Sequence, residues 1–205
     1  MNYTTLADAE TVKKTVNGLN ARNIEAEAVN SAAEALERIK ALIPKGASVM
    51  TGASTTLNQI GFTDLLKSGD HGWNNLKDAI EAEKDPAEQM KLRRGSVLAD
   101  YFLGSVHAVA QDGQLVIASN SGSQLPSYAY TSPNVIWVIS TQKIVPTLED
   151  ALRRLEEHVI PLEDARMKSV GMGGTKLNKL LIFKGEPTYT GRKMHVIFVN
   201  EALGF

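Results

Sequence analysis

NVIWVISTQKIVPTLEDALRRLEEHVI, residues 134–160, is the stretch of the chain that determines its expected fold class. The first seven residues are a nearly continuous apolar run, which is typical of a strand covered on both faces in a parallel sheet. From 146 to 160 the apolar residues recur at helical spacing. Asp150 and Arg154 are four residues apart, as in an ion pair on the exposed face of this helix. A buried strand followed directly by an amphipathic helix predicts a layered α/β fold.

Further strands and helices are expected on both sides of this stretch. The expected strands lie at 48–51, 100–110, 114–119, 179–185 and 192–200, and the expected helices at 5–21, 31–43 and, in two pieces, 62–98. Strands alternating with helices favour a mixed but mostly parallel sheet, with the last two strands as a hairpin-like edge. We therefore expect a single α/β domain over residues 1–205, with residues 1–30 as an N-terminal helical extension.

The composition excludes several classes of partner. Twenty-two basic and 23 acidic side chains leave a net charge of −1, which does not favour nucleic acid or an anionic membrane surface as a partner. No apolar run approaches the roughly 20 residues that span a bilayer. The polar first residues also lack the apolar core of a secretory signal. These features predict a cytoplasmic protein.

Cysteine and histidine usage bears on redox and metal chemistry. The chain has no cysteine, which excludes disulfides, thiolate nucleophiles and cysteine-ligated iron–sulfur or zinc sites. Its four histidines are dispersed, without the spacing of a metal site. No metal site is therefore predicted, and no cofactor is evident.

Three polar loops follow predicted strands, where ligands bind in open α/β sheets. Glycine lets backbone N–H groups approach a ligand, and serine or threonine hydroxyls add further hydrogen bonds. The same residue types are also ordinary helix caps. A lysine in the third loop supplies the counter-charge for a phosphate or carboxylate. The predicted binding residues are Gly52, Ser54, Thr55, Asn120, Ser121, Gly122, Ser123, Gln124 and Lys143.

Catalytic residues are harder to choose. His107 lies in or beside a strand, two residues after Ser105, and such a pair could activate a nucleophile. A packed structural histidine is the alternative. Asp100 is a candidate general base or a capping residue, and Asp112, in the tripeptide QDG, equally suits a tight turn. These three ionisable residues are the catalytic candidates.

The segment from Ala99 to Leu152 resembles the LUD (lactate-utilization domain) family. The features that carry the resemblance are Ala99-Asp100 before an apolar run, DGQLV at 112–116, a polar loop followed by proline, and KIVPTLEDAL at 143–152. TGASTTLNQIG (51–61) and HVIFVN (195–200) match the family's upstream loop and its final strand. The resemblance covers residues 31–205.

This resemblance implies a Rossmann-like three-layer sandwich of the sugar-phosphate isomerase and coenzyme A transferase type. It also implies a link to bacterial L-lactate oxidation, in which partner proteins carry iron–sulfur clusters. The first interpretation is a protein that binds a small anionic metabolite or a nucleotide at the carboxyl edge of the sheet. One alternative is a non-catalytic subunit or assembly factor of an iron–sulfur lactate oxidation complex, and a remoter one is an ATP-dependent enzyme similar to the formyltetrahydrofolate cyclo-ligases. The sequence leaves the oligomeric state open, a homo-oligomer included.

Overall fold

Residues 2–205, which the computed structural model describes, contain two β-sheets. The strands are β1 Glu25–Val29, β2 Ser48–Thr51, β3 Asn74–Asn75, β4 Tyr101–Gly104, β5 Ala108–Ala110, β6 Leu115–Ser119, β7 Asn134–Ser140, β8 Ile144–Val145, β9 Lys179–Phe183 and β10 Lys193–Val199. The main sheet has six strands in the order β1-β10-β7-β4-β2-β3, and all of its pairings are parallel. The second sheet has the order β8-β5-β6-β9, with β6 antiparallel to both of its neighbours.

Helices cover the main sheet and the outer face of the second sheet. They are α1 Ala9–Asn20, α2 Ala32–Leu42, α3 Thr55–Gln59, α4 Phe62–Ser68, α5 Leu76–Ala82, α6 Pro86–Gly95, α7 Leu148–Arg154 and α8 Ile160–Ser169. A π-helical turn over Leu155–Val159 joins α7 to α8, so one helical stretch continues to residue 169. Within residues 2–205 no helix is long and apolar enough to cross a membrane.

Strand β7 shows why the main sheet is buried. Val135, Trp137 and Ile139 pack into a core shared with α1 and the second sheet. Ile136 and Val138 point the opposite way, into a core formed with α2, α3 and α4. Both faces of the strand are therefore covered, as its nearly unbroken apolar run predicted. The main sheet thus lies between a helical layer and a layer formed by α1 and the second sheet, which confirms the predicted α/β sandwich.

Two expectations about strand pairing were wrong. The strand expected over 100–110 is two strands in two sheets, because the chain leaves the main sheet at Gly104 and enters the second at Ala108. The last two strands do not form a hairpin-like edge. Instead, β9 pairs antiparallel with β6 in the second sheet, and β10 lies between β1 and β7 in the main sheet. Local sequence does not specify these partners, since each strand pairs with residues far away along the chain.

The N-terminal segment is not helical throughout. Helix α1 occupies most of the expected range 5–21, but Glu25–Val29 form an edge strand of the main sheet, parallel to β10. The expectation of a helical extension over residues 1–30 was therefore wrong for this strand. Its burial is mixed rather than strictly alternating, with Ala26 packed against the core shared with α1 and Val29 against the core on the other face.

Candidate functional site

A cavity of about 450 Å³ opens at the carboxyl end of the main sheet. The loop after β2, the β4–β5 connection and the residues that follow β6 form its floor and walls. Helix α8 and the loop after it form the opposite wall, through Glu163, Met167, Met172 and Lys176. The crossing of the chain from one sheet to the other therefore creates the space between them.

The cavity gathers most of the residues that the sequence singled out for binding. Eight of the nine line it, the exception being Gly122. The Gly122 N–H donates to Ser119 Oγ (2.8 Å), and a Cβ at this position would meet the Lys179 side chain at 2.6 Å. Gly122 therefore lies on the side of the loop that faces Lys179, where a larger residue would not fit. Gly122 is thus the one predicted binding residue that the structure does not bring to the cavity.

Lys143 lies at the floor of the cavity and is only 4 % exposed. Its Nζ donates to Thr56 Oγ1 (3.1 Å), Ser105 Oγ (3.2 Å) and the Val106 carbonyl (3.2 Å). None of the ion pairs formed within residues 2–205 involves Lys143. Burial lowers the pKa of Lys143 to about 7, and the positive charge of Arg154 adds to the shift. The amine is therefore a desolvated group whose three hydrogen-bond partners are all uncharged.

Arg154 is a second buried cation, behind the cavity. It is fully buried and donates to the main-chain oxygens of His107 (2.5 Å), Phe205 (3.3 Å) and Tyr3 (3.4 Å). Its Nε has no hydrogen-bond partner in the described part of the chain. The sequence placed Arg154 on the exposed helix face with Asp150, and this was wrong. Main-chain oxygens converge on its position from three distant segments, which helical periodicity cannot indicate.

His107 adds a neutral hydrogen-bond donor. Burial, and then the charges of Lys143 and Arg154, lower the pKa of His107 to about 3. Its Nδ1 accepts from the Ala118 N–H (3.0 Å), which assigns the ring proton to Nε2. That nitrogen bonds to no group within residues 2–205, and the ring lines the cavity. No hydrogen bond joins His107 to Ser105 among these residues, so the activated Ser–His pair considered from the sequence is not formed here.

Tyr128 contributes a buried hydroxyl that the sequence did not single out. The side chain is 3 % exposed, lines the cavity and makes no hydrogen bond through its hydroxyl to any described residue. Burial raises the pKa of Tyr128, so the phenol keeps its proton. Its Oη lies 1.7 Å from where a Cβ on Gly104 would stand, which only glycine permits. The hydroxyl therefore lies against the residue next to Ser105, on the side of the floor where Lys143 is bound.

The two acidic candidates lie away from the cavity. Asp100 precedes β4, at the amino edge of the sheet, and accepts from the Ser48 N–H (2.9 Å) and Oγ (2.7 Å). These bonds lower the pKa of Asp100 and keep it ionised. Asp112 lies in the β5–β6 turn and pairs with Arg22 at 2.9 Å. Of the three catalytic candidates, the structure brings His107 to the cavity and leaves Asp100 and Asp112 outside it.

The opposite wall carries an ion pair and a glycine-rich loop. Glu163 and Arg166 of α8 line the cavity and bond to each other at 2.6 Å. The following loop contributes Thr175, whose N–H donates to Asp164 at 2.8 Å. Across residues 2–205, no cluster of three or more His, Cys, Asp or Glu side chains could hold a metal ion.

Comparisons with known proteins identify the family. The sequence profile of the LUD domain family matches residues 12–199. The chain belongs to this family. A crystal structure of a DUF162 family protein from Deinococcus radiodurans superposes with a TM-score of 0.56 at 15 % identity, covering 96 % of this chain and 100 % of that one. At this identity the likeness concerns the fold alone, and a comparison with curated proteins finds no match.

Proposed function

We propose that this LUD domain binds a small anionic metabolite in the cavity at the carboxyl edge of its main sheet. The observation that carries the proposal is the ammonium of Lys143, buried at the cavity floor without an acidic partner among the described residues. A buried cation without a counter-charge is costly, because burial removes its hydration shell. A ligand carboxylate or phosphate would supply the missing charge.

The remaining polar groups suit the same ligand. The His107 Nε2–H and the Tyr128 hydroxyl are donors without partners in residues 2–205, and both side chains line the cavity. The loop after β6 adds Ser121 and Ser123, whose hydroxyls lie 3.2 Å apart. Arg154 adds a second positive charge behind the floor. A volume of about 450 Å³ falls in the range of small-molecule sites.

Membership of the LUD family suggests which class of metabolite is bound. The LUD family is linked to lactate utilization, which supports a role for this chain in the metabolism of lactate or of a related short acid. L-lactate and pyruvate both carry a carboxylate small enough for the cavity. Coenzyme A, ribose 5-phosphate, nucleotides and folates are the alternatives that the wider fold class brings.

A thermal-shift panel with these compounds tests the proposal. Because a ligand that binds only the native state stabilises it, a hundredfold excess over the dissociation constant adds about 2.7 kcal/mol to the free energy of unfolding. We expect at least one anionic compound to raise the melting temperature of the wild-type protein. The shift should be lost in Lys143→Met and kept in Lys193→Met, a matched control at the exposed amino end of β10.

Two outcomes would contradict the proposal. A shift of equal size in wild type and Lys143→Met would place the ligand elsewhere. No shift with any compound would argue against a metabolite site and favour the alternative of a subunit of an iron–sulfur complex. In that case co-purification with a cysteine-rich protein is the next measurement.

A further inference from the structure

We infer that Lys143 is a nucleophile, whose Nζ forms an imine with a small carbonyl compound that carries an anionic group. The short 2-oxo acids are the chemical class that fits best, because their carbonyl carbon lies next to a carboxylate. This inference rests on the proposed function, since the same cavity must first bind the anion. It goes further by assigning a covalent step to one named atom.

The position of the amine supports this role. Lys143 Nζ is held between two hydroxyls and one carbonyl, at 3.1–3.2 Å, and no carboxylate pairs with it within residues 2–205. A carboxylate partner would hold the proton on the amine and block its lone pair. The hydroxyls of Thr56 and Ser105 can instead accept from the ammonium or donate to the neutral amine. The amine therefore lies among three residues that line the cavity, and none of them commits it to its charged form.

The electrostatic surroundings make the neutral amine accessible near physiological pH, alongside the ammonium. Burial and the nearby charge of Arg154 lower the pKa of Lys143 to about 7. Arg154 keeps its own charge, because burial lowers its pKa only to about 10. The two basic groups can therefore have different roles. Arg154 attracts the anion, while a large fraction of Lys143 is the neutral amine with its lone pair. A desolvated lysine beside another cation is a known way to activate an amine.

The proposed step is balanced in atoms and electrons. The Nζ lone pair forms a C–N bond to the carbonyl carbon, and the C=O electron pair moves to oxygen. The two protons of the amine leave with that oxygen as water when the C–O bond breaks, and a C=N bond remains. No oxidant or reductant is consumed. The phenol of Tyr128 and the Nε2–H of His107 are protonated donors in the cavity that can bind the carbonyl oxygen as charge develops on it.

Reductive trapping tests the inference on the wild-type protein. The protein is incubated with pyruvate and sodium cyanoborohydride, and the intact mass and a peptide map are measured. We expect one adduct, equal to the mass of pyruvic acid less one oxygen atom, on Lys143. Its rate should rise between pH 6 and 8 as the amine loses its proton. L-lactate has no ketone or aldehyde carbonyl and should give no adduct. Glyceraldehyde 3-phosphate tests whether a phosphate can replace the carboxylate.

Variants separate this inference from the proposed function. Lys143→Arg keeps a positive charge but loses the nucleophile, so we expect the pyruvate-induced thermal shift to persist and the adduct to disappear. Lys193→Arg, at an exposed lysine outside the cavity, should trap as wild type does. A thermal shift without an adduct on Lys143, or adducts spread evenly over exposed lysines, would overturn the imine and leave the anion site standing. Neither a shift nor an adduct with any compound of the panel would overturn both.

Discussion

The Tyr128 hydroxyl lies 1.7 Å from the point where a Cβ on residue 104 would stand. Gly104 is the last residue of β4, and Tyr128 belongs to a π-helical turn over Ser127–Thr131. The chain therefore places a phenol directly against the carboxyl end of a central strand. This contact fixes one side of the cavity floor, beside the serine that binds Lys143.

Gly104→Ala should be destabilising because of this contact. A methyl group at residue 104 would overlap Tyr128 Oη and lie 2.9 Å from Cζ. Overpacking of this kind costs about 1–3 kcal/mol. Denaturant unfolding should show this loss, and Tyr128→Phe in the same chain should recover part of it, because the hydroxyl is then gone. If Gly104→Ala lowered the free energy of unfolding equally in the wild-type and Tyr128→Phe backgrounds, the clash with the hydroxyl would not be its cause.

Lys143→Met should stabilise the protein while abolishing anion binding. The pKa of Lys143 is about 7 when folded and has an ordinary value of 10.5 when unfolded. Between these values the unfolded chain holds the extra proton, so the wild type loses stability as the pH falls from 10.5 to 7, and no more below that. The slope is at most about 1.4 kcal/mol per pH unit. The difference in unfolding free energy between variant and wild type should therefore grow as the pH falls from 10.5 to 7. A difference independent of pH would contradict the lowered pKa of Lys143.

His107 should add its own pH dependence to stability in a separate, acidic window. Its pKa is about 3 in the folded protein against an ordinary 6.5, so the unfolded state binds the extra proton between these values. The wild type therefore loses stability as the pH falls from 6.5 to 3. His107→Asn, whose amide oxygen can still accept from the Ala118 N–H, should remove this part of the pH dependence. Parallel pH profiles for the two proteins would show that His107 titrates normally.

Gly18→Ala and Gly95→Ala should act in opposite directions. A Cβ at Gly18, in α1, would lie 2.7 Å from the backbone of Asp112, so the helix would be pushed from the β5–β6 turn. We expect a loss of about 1–3 kcal/mol from this overlap. Gly95 has ordinary helical dihedrals and nothing within 4 Å of an added Cβ. Alanine there should be neutral or stabilise by up to about 1 kcal/mol, and thermal melts of both variants check the contrast.

Arg192→Met should be strongly destabilising. Arg192 pairs with Glu186 at 2.8 Å, both side chains being at most 6 % exposed, and donates to the carbonyls of Ser127 and Tyr128 at 2.9 Å. Removing it leaves a buried carboxylate unpaired, which costs about 3–5 kcal/mol. Arg153→Met is the control, because its pair with Glu149 is exposed and such pairs contribute about 0–1 kcal/mol. Similar losses in the two variants would refute the structural role of Arg192.

Much of the fold could be predicted from local sequence. The apolar run of β7 indicated a strand buried on both faces, and the main sheet has that strand at its centre. The helix expected from residue 31 is present as α2, and Ser31 caps it by accepting from the Glu34 N–H. These predictions succeeded because burial on two faces and helix capping each depend on residues close together in the chain. The predicted pairing of β9 with β10 was wrong because the true partners of these strands lie far away along the chain.

The sequence by itself determined the chemistry that the cavity wall can offer, in three loops rich in glycine, serine and threonine after predicted strands. It could not determine what is buried there. Tertiary structure alone decided that Lys143 lacks an acidic partner in the part of the chain described, that Arg154 leaves its expected surface position, and that Tyr128 reaches the floor. Burial and charge pairing are set by segments that meet only in the folded chain, from Tyr3 to Phe205 around Arg154. The periodicity of apolar residues indicates which face of one helix or strand is buried. It cannot indicate which residues meet at a site, because a site is formed where several elements end.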